Sequence, residues 1–416
     1  MTRPIAISLS PNAEKDDVTL ALKILFSPRR WFDIRQTEKL EDEFAALFGS
    51  SYKAFAVNSG RSALYLILKI IGINDGDEVA LQALTCVAVP NSILWLKGRP
   101  LYIDVDNSFN MDPKDLNEKI SERTKAIIVQ HTFGIPADME KILKIAEKRK
   151  IPVIEDCALS LGGKYGNKLL GTLGDISFFS FGRDKVISSV FGGMIICKNK
   201  KLYMELLRER DKLDYPSLFW VIQQLLHPIL FGIILPLYNL GYGKLTIGKI
   251  LLYISQRLGL LSKAVFPQEE LGQKPKVFPT KLPGALSVLA LTQLRKLDKF
   301  NNHRKEIANI YFQKLKSPNY KLQNKNKGII WIRFPVIEDK AKKIYEYAKG
   351  KGILLGDWYK QVVVPVKNLQ LVGYDFGSCP KAEKLAGNIL NLPTYPNLNK
   401  KDAMTIVQLI KSCRNL

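Results

Sequence analysis

The sequence predicts an α/β protein: a mainly parallel central sheet with helices on both faces, a hydrophobic helical insert, and a small C-terminal α+β domain. Three observations carry this. From Ser51 to about Cys197, short apolar runs alternate with segments whose apolar residues recur at helical spacing. Strands separated by helices imply right-handed crossovers and a parallel sheet. From Ile329 onward a second, shorter strand and helix pattern begins, and between the two lies a stretch almost without charge.

Taken in order, the strand candidates are Ala54–Asn58, Glu78–Leu81, Pro100–Asp104, Ala126–Gln130, Pro152–Glu155, Ile176–Ser180 and Met194–Cys197. Helix-period segments between them include Ser62–Ile71, Val89–Leu96 and Asp138–Lys148. Residues 1–210 then form the large domain, 211–275 the insert, 276–325 a helical connector centred on Ala285–Leu315, and 326–416 the small domain. In open α/β sheets ligands sit at the carboxyl ends of the strands. Ser59-Gly60, Thr85, His131, Asp156 and Ser180 all fall at or just past such ends.

The insert is the unusual piece. Between Asp214 and Lys244 only His227 has a side chain that can carry charge near neutral pH, and the run Leu218–Leu235 is long enough to span a bilayer. Pro228, Pro236 and the Gln223-Gln224 pair argue against a straight spanning helix. An interfacial or re-entrant hairpin over 216–264 is the expectation, helped by a basic surface; a helical insert packed on the body or in a dimer interface is the alternative.

The 416 residues carry a formal net charge of +23, which favours anionic partners. The lysines are scattered, as in Lys321–Lys327 and Lys340–Lys343, and no basic-aromatic interleaving or zinc-finger spacing accompanies them, so no nucleic-acid partner is expected. Five cysteines without CxxC spacing and three histidines give no metal-ligand pattern. Reduced thiols imply a cytoplasmic protein, with membrane contact at its inner face, and the N-terminus has no apolar run of secretion-signal length.

The chemistry concentrates around Lys185. It lies in Asp175-Ile-Ser-Phe-Phe-Ser180-Phe-Gly-Arg-Asp-Lys185, followed by Gly192-Gly193, and upstream Val153-Ile-Glu-Asp156 ends an apolar strand. A partly buried lysine amine, a strand-end carboxylate and a hydroxyl five positions before the lysine are the groups that a pyridoxal phosphate (PLP) site requires. The amine bonds to the cofactor aldehyde, and the carboxylate keeps the ring nitrogen protonated. Ser59-Gly60-Arg61-Ser62 joins a strand to a helix, where backbone N–H groups hold a phosphate and Arg61 adds charge. Taken alone, that motif reads as an ordinary turn and cap.

The ordered set Phe55–Leu64, Asp75–Ala80, Pro100–Asp106, Arg123–Ile128, His131–Met139, the Asp156 and Lys185 region, Cys379–Ala386 and Leu392–Pro396 resembles the DegT/DnrJ/EryC1/StrS family of sugar aminotransferases. The resemblance covers most of the chain and implies a fold-type-I PLP transferase. It implies Lys185 as catalytic residue, with Asp156, Ser180, Gly60, Arg61, Ser62, Cys86 and His131 around the cofactor. It also implies a homodimer that moves an amino group from an amino acid donor, glutamate, to a keto sugar linked to a nucleotide or lipid. For His131, a satisfied strand-end histidine is an equal alternative.

The chain departs from the family at four places. Leu159 replaces a Gln or His, Cys86 the ring-stacking aromatic, Phe191 the Glu before the Gly pair, and Pro279-Thr-Lys281 an Asn-Tyr-Arg-like segment. These departures keep open PLP-dependent lyase or dehydratase chemistry, and a non-catalytic scaffold on the same fold. Sugar dehydratase relatives carry His where this chain has Lys185.

Overall fold

A computed structural model describes residues 3–242, 245–315 and 328–414; the Lys321–Lys327 run, Lys244 and the 325/326 boundary lie outside them. Two helices, α1 (Lys15–Leu25) and α2 (Ile34–Ala46), precede β1 (Lys53–Val57). Then follow α3 (Gly60–Ile71), β2 (Glu78–Gln82), α4 (Ala88–Leu94), β3 (Arg99–Ile103), α5 (Pro113–Lys119) and β4 (Thr124–Gln130). The large domain continues with α6 (Met139–Arg149), β5 (Val153–Asp156), β6 (Ile176–Ser180), β7 (Gly193–Cys197) and α7 (Lys200–Asp211).

The seven strands form one sheet in the order β1-β7-β6-β5-β4-β2-β3, with only β7 antiparallel to its neighbours. Along β1, Phe55 and Val57 enter one core while Ala54 and Ala56 enter the other; Ile195 and Cys197 of β7 oppose Met194 and Ile196 in the same way. Side chains alternate across a strand, so a sheet covered on both faces needs apolar residues at every position. That is why these strands read as unbroken apolar runs.

Helix boundaries follow from local chemistry. Ser59 caps α3 by accepting from Ser62 N–H, and Gly72, at φ +91°, ends it in the left-handed conformation. Asp138 caps α6 in the same manner. On one face, Phe44 of α2 meets Phe179 of β6 edge-on with centroids 5.1 Å apart, and Phe48 lies 5.4 Å from the same ring. Phe179 is fully buried. Phe179→Ala is expected to cost about 3–5 kcal/mol of stability, read by denaturant unfolding.

The expected connector is two helices, α10 (Gly284–Leu294) and α11 (Leu297–Leu315). The small domain pairs β8 (Arg333–Ile337) antiparallel with β9 (Ile389–Pro393). It adds α12 (Ala341–Gly350), α13 (Pro380–Leu385) and α14 (Lys400–Arg414). A short parallel pairing of Val363–Val364 with Thr85–Cys86 ties it to the large domain beside the strand ends.

The insert forms α8 (Leu218–Ile234) and α9 (Ile247–Arg257), with Gly241–Tyr242 paired to Leu245–Thr246 between them. Pro228 sits inside α8 without ending it. Among the described residues no helix is long and apolar enough to cross a membrane. Instead α8 packs along α1 and α10, burying Trp220, Val221 and Leu225. His227 is buried there against Phe231, at 4.6 Å, and burial lowers its pKa well below the usual imidazole value, so the helix stays uncharged.

Candidate active site

A cavity of about 290 Å³ lies at the carboxyl ends of β1, β5 and β6. Gly60, Arg61, Cys86, Asp156, Ser180 and Lys185, all expected from sequence, line it. Strand ends place them: Asp156 and Ser180 are the last residues of β5 and β6, and Gly60 opens α3 just beyond β1. A larger recess of about 510 Å³ between α2 and Arg210 is walled by the Glu41–Arg210 ion pair and contains none of these groups.

Asp156 is buried, and its Oδ1 accepts one hydrogen bond, 2.9 Å from Ala158 N. Burial raises its pKa, partly offset by the Ala158 N–H and the charge of Lys185. A carboxylate held this way stabilises a cation beside it. Ser180 Oγ faces the start of α3, where a Cβ on Gly60 would come within 2.9 Å of Ser180 Cβ. Only glycine leaves that cradle open, at a helix end whose free N–H groups attract phosphate. Gly60→Ala is expected to weaken cofactor affinity roughly tenfold with the fold retained, a change that titration of cofactor absorbance measures.

The lysine is held from behind. Asn12 Nδ2 donates to the Lys185 carbonyl at 2.5 Å, and Arg304 Nη2 donates to the Val186 carbonyl at 2.8 Å and to Asn12 Oδ1 at 3.1 Å. Arg304 is 1% exposed, and burial lowers its pKa to about 9. The half-buried Lys185 side chain thus projects from an anchored backbone.

Two expected residues stand elsewhere. His131 is fully buried but faces Glu155: its Nε2 lies 3.1 Å from Glu155 Oε2, and its Nδ1 accepts from Ala137 N at 3.2 Å. Because Nδ1 accepts, the proton sits on Nε2 and is donated to Glu155. His131 does not line the cavity. Glu155 also accepts from the Gly171, Leu173 and Gly174 amides, so this pair shapes the wall behind Asp156. Ser62 is likewise buried outside the cavity; its Oγ donates to Asn58 Oδ1 at 2.7 Å and completes the α3 cap.

Sequence reasoning missed Arg183, Arg333, Gln130 and Tyr359, all in the cavity wall. Gln130 accepts from Thr85 Oγ1 at 2.9 Å and donates to Tyr359 Oη at 3.2 Å, joining both domains under the site. Arg333 pairs with Asp184, whose carboxyl, despite burial, is lowered by Arg333, Lys185 and Arg183. Arg183 donates to Ser262 of the insert, and burial lowers its pKa to about 10. Arg61 pairs with Glu269 and donates to the Ala264 carbonyl at 2.9 Å. Arg183 adjoins a position the sequence had already marked, but nothing local indicated its partner.

The residues fit pyridoxal phosphate. Asp156 offers a nearly unpartnered buried carboxylate to a ring N–H, Ser180 and the α3 terminus frame a phosphate-sized cradle, and Lys185 supplies the amine.

The model of the DegT/DnrJ/EryC1/StrS aminotransferase family matches residues 14–211 and 268–411. A GDP-perosamine synthase from Escherichia coli O157:H7 is 28% identical over 90% of this chain and 88% of its own length. A dTDP-3-amino-3,6-dideoxy-alpha-D-galactopyranose transaminase from Aneurinibacillus thermoaerophilus is 27% identical over 90% and 89%. Among solved structures, the sugar aminotransferase candidate Spr1654 of Streptococcus pneumoniae in its PLP form superposes with a TM-score of 0.75 at 20% identity, covering 100% of this chain and 98% of that one. With this match and a fold-type-I architecture around Lys185, the chain belongs to the DegT/DnrJ/EryC1/StrS family of PLP-dependent aminotransferases.

Proposed function

We propose that this aminotransferase moves an amino group from glutamate to a keto sugar carried on a nucleotide or a lipid, in the synthesis of a surface polysaccharide or glycolipid. One observation carries the reading: an amine, a buried carboxylate, a hydroxyl and a helix start, far apart in sequence, meet in a single cavity. The named relatives, which act on nucleotide-linked sugars, support the acceptor class.

When bound, PLP supplies a carbon that accepts the amino group and a ring that withdraws electrons from the donor's α-carbon. Lys185 would be the proton carrier: its amine would take the donor's α-proton and hold it for return. Asp156 holds the ring N–H and so keeps the ring electron-poor. Ser180 and the α3 amides would orient the phosphate, with Arg61, paired to Glu269, at the same end. Cys86 lines the same cavity. Arg333, which pairs with Asp184 in the cavity wall, is the cation assigned to a donor carboxylate.

Glutamate should convert the cofactor spectrum of the purified protein stoichiometrically, and a nucleotide-linked keto sugar should reverse it. A cofactor band that glutamate leaves unchanged would sink the glutamate reading and favour lyase chemistry on the same residues. We further infer a cytoplasmic homodimer that touches the inner membrane face through 216–264.

A further inference from the structure

The family match breaks over 212–267, the span that contains α8 and α9. Helix α9 is apolar on two sides: Leu252 packs against Phe231, Leu235 and Leu261, and a second apolar stripe faces outward. A helix on a protein surface turns its apolar stripe to the core, yet α9 fully buries only Gly248 and Ser255, and Ile247, Ile250, Tyr253, Ile254 and its C-cap Leu258 are exposed. These five positions recur at helical spacing and form one stripe. Just before it, the paired segments Gly241–Tyr242 and Leu245–Thr246 continue the pattern: Tyr242 is 96% exposed and Leu245 75%. Solvated apolar surface of this extent marks a contact site.

Charge selects the occupant. From Tyr215 to Gln268 the chain has Lys244, Lys249, Arg257 and Lys263 and not one Asp or Glu. Arg257 is exposed and lies over the Tyr253 ring at 5.9 Å, so cation and aromatic ring share the outward face. Two copies meeting through this face would oppose like charges with no carboxylate to pair them. An anionic bilayer satisfies both features, taking up the apolar stripe while its headgroups pair with the cations.

The same segment reaches the active site. Four positions after Leu258, Ser262 receives Arg183, and Ala264, Val265 and Glu269 stand against Arg61 and the cavity wall. We infer that the outward face of α9, with Tyr242 and Leu245 before it, docks on anionic lipid, and that 262–269 thereby holds the cavity at the membrane surface, where a lipid-borne acceptor is delivered. This rests on the membrane contact proposed above and adds its surface, its lipid class and its link to the site.

The test is cosedimentation of the PLP-loaded full chain with vesicles of phosphatidylcholine alone or mixed with phosphatidylglycerol. Binding should need phosphatidylglycerol and weaken in high salt. Ile250→Ser, Tyr253→Ser, Ile254→Ser and Leu258→Ser combined should reduce it at least about tenfold, and Lys249→Glu with Arg257→Glu about tenfold or more. Both variants should keep the cofactor band and the glutamate reaction, since all six side chains lie outside the cavity wall.

Vesicle binding that survives both variants would leave membrane contact standing but overturn this surface. No binding by the parent protein would overturn both. A larger assembly in sedimentation velocity that the serine variant dissolves would assign the face to a second copy instead. Loss of the glutamate reaction with lipid binding intact would count against the aminotransferase reading and not against this one.

Discussion

Lys185→Ala is expected to lower amino-group transfer from glutamate by at least about 10²–10⁴-fold, the range over which a positioned proton-transfer group acts. The variant should fold normally. The anchoring contacts run to backbone carbonyls of residues 185 and 186, through Asn12 and Arg304, and a side-chain truncation leaves them in place. Cofactor binding should persist more weakly, because Ser180, Gly60 and Asp156 remain, while the absorbance band that depends on the amine disappears. Adding a small primary amine to the medium should restore part of the rate. If Lys185→Ala turned over at the parent rate, Lys185 would not be the proton carrier.

Asp156→Asn should be nearly as damaging, at about 10²–10⁴-fold, for an electronic reason: a neutral amide does not hold the ring nitrogen protonated. Its effect on stability should have the opposite sign. Burial raises the Asp156 pKa in the cofactor-free protein, so the folded chain binds that proton more tightly than the unfolded chain. An acid with a raised folded pKa loses its stability contribution as pH climbs from the unfolded value through the folded one. Above this window the empty parent protein carries the cost of a buried charge, and Asp156→Asn removes it. Thermal unfolding of the empty proteins should therefore favour the variant increasingly as pH rises, with the difference shrinking in acid. Saturating cofactor should reverse the order. A variant less stable than the parent in the empty state would mean that the carboxylate is satisfied by its surroundings and does not await a cation.

These two residues were legible because each leaves a local signature. Asp156 ends an apolar run, and Lys185 follows a hydroxyl and precedes a glycine pair. Strand β6 matches its expected bounds, Ile176–Ser180, because an apolar run buried on both faces has few ways to be read. His131 was ambiguous for a physical reason. A strand-end histidine has the same sequence neighbours whichever way its ring turns, and here Glu155 and the Ala137 amide turn it from the cavity. Ser62 is similar: its hydroxyl joins Asn58 and Ser59 within the cap.

By itself, then, the sequence determined the alternation of strands and helices from β1 to β7, the lysine and carboxylate that meet in the cavity, and an uncharged segment that does not belong to the main pattern. All three are properties of runs of a few residues, fixed by periodicity and side-chain type. Tertiary structure decided which groups face the cavity, that Arg333 and Tyr359 of the small domain complete it, and that α8 packs on the body while α9 turns an apolar stripe outward. Hydropathy registers that a face is apolar but carries no information on what covers it, and only packing between distant segments sets that.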